Sequence, residues 1–166
     1  MSDQVVDITA NSFIKAYADK NWAELWPLVS SRIVYDEPAT RRKTHGIKRF
    51  MNILQEWGEA FPDSKITIES TTSYGNTLVF ELKWTGTHEG IIDTPGGWIL
   101  PTGKKLDIPV NMVIELGERE SGLRVLGERE PLERMEGPPK VESVTHYFDM
   151  ATMEKQIELS PEEMVA

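Results

Sequence analysis

Two of the three histidines stand where strand parity turns them inward. From Leu78 to Gly90 the chain alternates strictly. One row carries Leu78, Phe80, Leu82, Trp84, Gly86 and His88; the other carries Val79, Glu81, Lys83, Thr85, Thr87 and Glu89. Alternation of this length predicts a strand with one buried and one wet face. His88 closes the apolar row, just past a glycine that leaves space beside it. Near the other end of the chain, Val144, His146 and Phe148 share one face of a second alternating stretch. An imidazole titrates near neutral pH, so two of them against apolar walls can act as general base and general acid. Burial lowers the pKa of such a ring, and a neighbouring carboxylate raises it. The plainer reading of His88 is a ring packed and hydrogen-bonded at the rim of a core.

The carboxylates that could serve these rings are Asp36, Glu37 and Asp149. Asp36 is expected to assist, although beside Pro38 it suits a turn equally well. Glu37 is expected to face solvent, and Asp149 to cap a final helix from Met150 to Leu159. Tyr35 can offer a hydroxyl to a developing enolate oxygen. With Tyr35, the side chains of Trp84, Met112, Phe148 and Trp57 are the expected walls, suited to a flat, mostly apolar ligand. For Tyr35 and Trp84, plain core packing is the alternative. His45, next to Gly46 at a loop–helix junction, is expected to serve the local fold. Two histidines and a carboxylate form a ligand set for iron or zinc elsewhere. Here they come from separate strands with no short-range spacing, so no metal is expected. There is no glycine-rich phosphate loop and no Gly-x-Ser-x-Gly elbow.

The elements that must position these residues follow in order. Asp3 to Lys20 places Val6, Ala10, Phe13, Ala16 and Tyr17 on one helical face. Asn21 offers an N-cap to a brief helix with Trp22, Leu25 and Trp26, shortened by Pro27. Arg32 to Asp36 predicts a short strand ended by Pro38, and Ala39 to His45 a polar, basic loop. Ile47, Phe50, Met51, Leu54, Trp57 and Phe61 form the stripe of a strongly periodic helix stopped by Pro62-Asp63. Strands then follow: Lys65 to Thr72 with Ile66 and Ile68 inward, the turn Tyr74-Gly75-Asn76, the strand of His88, a loop through Pro95-Gly96-Gly97 and Pro101-Thr102-Gly103, and Lys104 to Leu116. Helices first and strands afterwards predict a segregated α+β fold.

With 166 residues, 39% hydrophobic and 27% charged, the chain suits one domain with a sizeable core. A net charge of −9 argues against nucleic acid and anionic membranes, since the only basic cluster, Arg41-Arg42-Lys43 with Lys48-Arg49, is short. Without cysteine there is no disulfide, thiolate metal site or cysteine nucleophile. No apolar signal core or membrane-spanning run is visible, so a cytoplasmic location is expected. Leu116 to Val125 and Leu126 to Met135 agree at six of ten positions, a tandem duplication. It reads as a solvated extension, or alternatively as a lid.

Several pieces together resemble a known family: Asp36-Glu-Pro-Ala39 leading to His45-Gly46, then Ala60-Phe-Pro-Asp63, Trp84-Thr-Gly-Thr-His-Glu-Gly90, Pro101-Thr-Gly-Lys104 and His146-Tyr-Phe-Asp149 with Met153 and Gln156. In order and spacing the set is similar to the SnoaL-like polyketide cyclases of the nuclear-transport-factor-2-like superfamily, over most of residues 9–159. The resemblance implies an α+β cone-shaped barrel, with three N-terminal helices on a strongly curved, mixed, mostly antiparallel sheet, commonly a homodimer. It implies a single domain over 1–166 with the repeat inserted at about 117–143. The family's best-known activity is an intramolecular aldol ring closure that needs no metal or organic cofactor. There an acidic residue on the last strand removes an α-proton and a histidine on the preceding strand assists. Carried over by position, the acid falls on His146 and the histidine on Met112, so both depart from the cyclase pattern.

The expected function is cofactor-independent acid/base chemistry on a small apolar carbonyl compound: cyclisation, isomerisation or hydrolysis. His146 is the preferred base or acid, with His88 or Asp36 assisting. The alternative is a non-catalytic small-molecule-binding or dimeric assembly module on the same fold.

Overall fold

The computed structural model of the protein describes residues 3–117 and 138–164. The duplicated decapeptides lie almost wholly outside the described residues. Helix α1 (Asp3–Ala18) buries Ala10, Phe13, Ile14, Ala16 and Tyr17. Asn21 caps α2 (Trp22–Leu25), its side-chain oxygen accepting from the Glu24 amide, and Pro27 converts the chain to a short 3-10 turn. Helix α3 (Ile47–Ala60) turns Phe50, Met51, Ile53, Leu54 and Trp57 into the core. Its stripe is continued by Phe61, fully buried just past the helix end.

Six strands form the main sheet: β1 (Val29–Glu37), β2 (Arg42–His45), β3 (Lys65–Tyr74), β4 (Thr77–Thr87), β7 (Lys105–Leu116) and β8 (Val141–Tyr147). Their order is β2-β1-β8-β7-β4-β3, with β1 parallel to β8 and every other pair antiparallel. A separate hairpin joins β5 (Ile92–Thr94) to β6 (Gly97–Ile99). Helix α4 (Met150–Ile157) follows β8, capped by the Asp149 carboxylate as its sequence position suggests. The Gln156 amide accepts from the Asp107 amide and donates to the Asp107 carbonyl, both at 2.8 Å, which fastens α4 along β7. Four helices thus pack on a mixed, mostly antiparallel sheet.

Strand β4 keeps the parity read from its sequence. Leu78, Phe80, Leu82, Trp84 and His88 are all buried, and Glu81 and Lys83 are exposed. Burying each large apolar side chain of that row stabilises the fold by about 1.5–3 kcal/mol relative to leaving it in water.

Four expectations need correction. The strand expected to end at Asp36 runs on to Glu37, because β2 pairs with it through Glu37↔Arg42. The expected loop from Ala39 to His45 is a 3-10 turn (Pro38–Thr40) followed by that strand. Turn residues Pro95-Gly96 close a hairpin rather than a loop. Ile68 is exposed rather than inward although it pairs with buried Leu82, because β3 is the edge strand of the sheet, with a neighbour on one side only.

One glycine is demanded by close approach. Gly90 lies against the end of α3, where the Glu89 and Gly90 amides both donate to the Ala60 carbonyl. A Cβ at Gly90 would stand 2.5 Å from the Glu59 carbonyl oxygen. The root of the β5–β6 hairpin is thereby held down on α3.

Candidate active site

Strand β1 places Ile33, Tyr35 and Glu37 on its inner face, all fully buried. Leaving the Glu37 carboxylate there without partners would be costly, and five side chains surround it. The Tyr35 hydroxyl donates to Oε2 at 2.5 Å and the Trp57 indole N–H to the same oxygen at 2.8 Å. Oε1 accepts from the Thr40 hydroxyl at 2.5 Å and from Arg42 Nη2 at 3.0 Å and Nε at 3.2 Å. His146 Nδ1 lies 3.9 Å from Oε2. Burial alone pushes the Glu37 carboxyl up, but the neighbouring His146, then Arg42 and Thr40, outweigh it and hold it at about 2.

Strand β8 runs parallel beside β1, with Tyr35 opposite Val144, and brings His146 to this carboxylate. Nδ1 of His146 lies 3.1 Å from the Tyr35 oxygen. The single Tyr35 proton is committed to Glu37, so that oxygen accepts and Nδ1 carries the hydrogen. The relay therefore runs from His146 Nδ1–H to Tyr35 and from Tyr35 to Glu37. Nε2 is left with a free lone pair, buried and without any hydrogen-bond partner among the described residues. Tyr17 of α1 stands edge-on to the ring, at 6.4 Å between centroids, and Phe148 at 5.4 Å. Burial, and then the Glu37 charge, raise the Tyr17 pKa, so its phenol keeps its proton.

The expected site residues are distributed unevenly around this centre. His146, Tyr35, Trp57 and Phe148 meet there, with Phe148 edge-on to Trp57 at 5.6 Å. Tyr35 has no hydroxyl proton to spare for a substrate oxygen; it holds the histidine instead. Met112 is buried in the core, opposite His146 in the β7–β8 register and opposite Phe80 in β4. Trp84 packs on Trp57 and Phe61. Asp36 is not brought to the centre. It is half-buried on the opposite face of β1, in register with Lys43 and Thr145. His45 is exposed.

His88 occupies a second position. It stacks on Phe61 at 5.5 Å, and Phe61 contacts Trp57, so aromatic rings separate the two buried histidines. Its Nδ1 lies 3.0 Å from the Thr102 hydroxyl, and its Nε2 is also buried without a partner among the described residues. Burial lowers the His88 pKa, opposed only in part by the Gly90 backbone.

Arg42 and Thr40 are not among the site residues expected from sequence, and Glu37, one of the carboxylates considered for the rings, is expected in solvent rather than in the centre where it lies. The signal for it lies in β1 itself. Extending the alternation of Ile33 and Tyr35 by one more step puts Glu37 inward, and Pro38 does not stop that step. Glu37 and His146 could each offer a ligand atom to a metal, but no group of three potential ligands forms among the described residues.

A family model for SnoaL-like polyketide cyclases matches residues 8–120. The chain belongs to the SnoaL-like polyketide cyclase family. The matched span of the family contains Tyr35, Glu37, Trp57, His88 and Met112, whereas His146 lies beyond it on β8. Among curated proteins none matches the chain. Solved structures share the fold at low identity. A SnoaL-like protein from Jannaschia sp. CCS1 superposes with a TM-score of 0.72 at 16% identity, covering 95% of this chain and 94% of that one. TsrD from Streptomyces laurentii gives 0.67 at 14%, covering 95% and 97%. A ketosteroid-isomerase-like protein from Catenulispora acidiphila DSM 44928, in complex with trimethylamine, gives 0.63 at 14%, covering 92% and 93%. Likeness at these identities is one of fold. No helix among the described residues is long and apolar enough to cross a membrane.

Proposed function

We propose that this SnoaL-like chain is a cofactor-independent enzyme that moves protons on a small apolar carbonyl compound, with His146 Nε2 as the atom that takes and returns the proton. One observation carries the reading: Nε2 is buried and has no partner among the described residues, while Nδ1 is fixed through Tyr35 to a buried carboxylate. Nε2 removes a proton from the carbon next to the carbonyl, and the C–H electron pair passes to the carbonyl oxygen as an enolate. The imidazolium so formed has Glu37 at 3.9 Å to meet its new charge. In a β,γ-unsaturated ketone, return of the proton to the γ-carbon of the dienolate gives isomerisation. Attack of the enolate carbon on a second carbonyl of the same molecule, with the proton returned to the new alkoxide, gives ring closure. Glu37, with Tyr35 and Trp57, is a positioning group and does not touch the substrate.

The test requires no knowledge of the natural product. Flat apolar ketones and β-diketones are incubated with the protein in D₂O, and deuterium at the α-carbon is followed by NMR. A base of this kind accelerates exchange, and His146→Ala lowers the rate by about 10²- to 10⁴-fold with folding unchanged. If compounds bind without exchanging, the non-catalytic binding reading takes its place. A homodimer is proposed on the wet face of the sheet, where Val79 and Val113 are adjacent in register and half-buried. Light scattering giving the mass of one chain would remove it.

A further inference from the structure

Beneath the β5–β6 hairpin lies a cavity of about 240 Å³, separate from His146, between that hairpin and α3. This is room for roughly eight waters. Its carbon walls are Trp57 and Ala60 from α3 and Ile91 and Ile92 at the start of the hairpin. Trp98 reaches it from β6 and Asp93 from β5, and the two are cross-strand partners. Trp98 is 73% exposed and Ile91 52% exposed, so apolar surface at the cavity mouth remains in water.

The charges at the cavity do not balance. Its single cation, Arg42, is paired twice, with Glu37 at 3.0 Å and with Glu56 at 2.7 Å. The Arg42 guanidinium also covers the ring of Trp57 at 5.7 Å. Two carboxylates therefore already answer Arg42, and Asp93 is left as surplus negative charge with no ion-pair partner among the described residues. A ring face attracts a cation through its quadrupole, and the open indole of Trp98 beside Asp93 supplies that attraction together with the counter-charge. An anionic ligand would meet Asp93 and Glu56 and find Arg42 already engaged. A neutral hydrocarbon would gain nothing from Asp93, which is exposed to water.

We propose that this cavity is a binding site for a small organic cation, an alkylammonium head on a few carbons, with Trp98 and Asp93 as its chief contacts. The probes are choline and its neutral carbon isostere 3,3-dimethylbutan-1-ol, titrated into the full chain while the indole N–H signals are followed by NMR. Choline is expected to shift the Trp98 signal and to bind roughly 3- to 30-fold more tightly than the isostere. Trp98→Leu and Asp93→Asn, both at exposed hairpin positions, should each weaken choline several-fold without altering the amide spectrum elsewhere. Added salt should weaken choline but not the isostere. Equal binding of the two probes would overturn the proposal, as would choline binding untouched by either substitution or no shift up to tens of millimolar. None of these readouts depends on His146, so the cation site and the proton-transfer reading stand or fall separately.

Discussion

The two buried histidines share a plan and differ in what stands behind it. Each presses Nδ1 against a hydroxyl, Tyr35 for His146 and Thr102 for His88, and each leaves Nε2 without a partner among the described residues. Behind Tyr35 is a carboxylate, itself held by Arg42, Trp57 and Thr40. Thr102 instead accepts from the Lys104 amide, a neutral group, at 3.3 Å. Unit charges 4 Å apart interact by about 4 kcal/mol at an effective dielectric near 20. A proton arriving on His146 is therefore met by a fixed anion, whereas burial works against one arriving on His88. An imidazole on a hydroxyl is thus an incomplete description of a base, because the charge behind the hydroxyl decides what an arriving proton meets.

The largest effect that tests this contrast comes from Glu37→Ala. Removing the carboxylate leaves Arg42 with Glu56 alone and takes the acceptor from the Tyr35, Thr40 and Trp57 donors, which should cost about 3–5 kcal/mol in urea unfolding. The matching change on the other side, Thr102→Val, deprives His88 of one neutral partner and should cost about 1–3 kcal/mol. Equal losses from the two substitutions would erase the distinction between the sites.

Acid titration sharpens the contrast by sign. Glu37 is held at about 2 in the fold, against 4.5 for the free group, so the unfolded chain binds the proton first as pH falls. Its contribution is present above pH 4.5 and is lost as pH falls through about 2, on the order of 3 kcal/mol in all. The stability gap between the protein and Glu37→Gln should therefore narrow across that window. A constant gap would mean that the carboxylate is not held by charge.

Much of the frame was legible in the sequence because periodicity reports burial directly. The β4 row, the α3 stripe and the caps Asn21 and Asp149 all follow from spacing and residue type. Parity also gave the inward aim of His88 and His146, since a strand has only two faces. What spacing could not supply was the partner of each ring, which depends on which strands become neighbours. The parallel β1–β8 pairing joins residues 111 apart in sequence, and only that pairing sets Tyr35 against His146. The choice of Asp36 over Glu37 failed on a smaller point. Pro38 suggests an early end to the strand, although its Cδ pushes the residue before it towards extended backbone. Arg42 falls in a stretch with no apolar period, which reads as a polar loop, and its role follows from pairing with a buried acid.

The smallest expected effect belongs to His88, and it runs over a different pH range. Its folded pKa is lowered from 6.5 by burial, so here too the unfolded chain takes up the proton first. Stability from this group is complete above about pH 6.5. It declines as pH falls below that value, by at most about 1.4 kcal/mol per pH unit, and levels off once the folded ring is itself protonated. The informative quantity is the difference between the protein and His88→Asn, measured by urea unfolding from pH 8 to 5. That difference should move against the histidine-containing protein on acidification. Movement in the opposite direction would require an anion near His88, comparable to Glu37 at His146. His88 would then rank as a second candidate base, and the separation drawn between the two rings would fail.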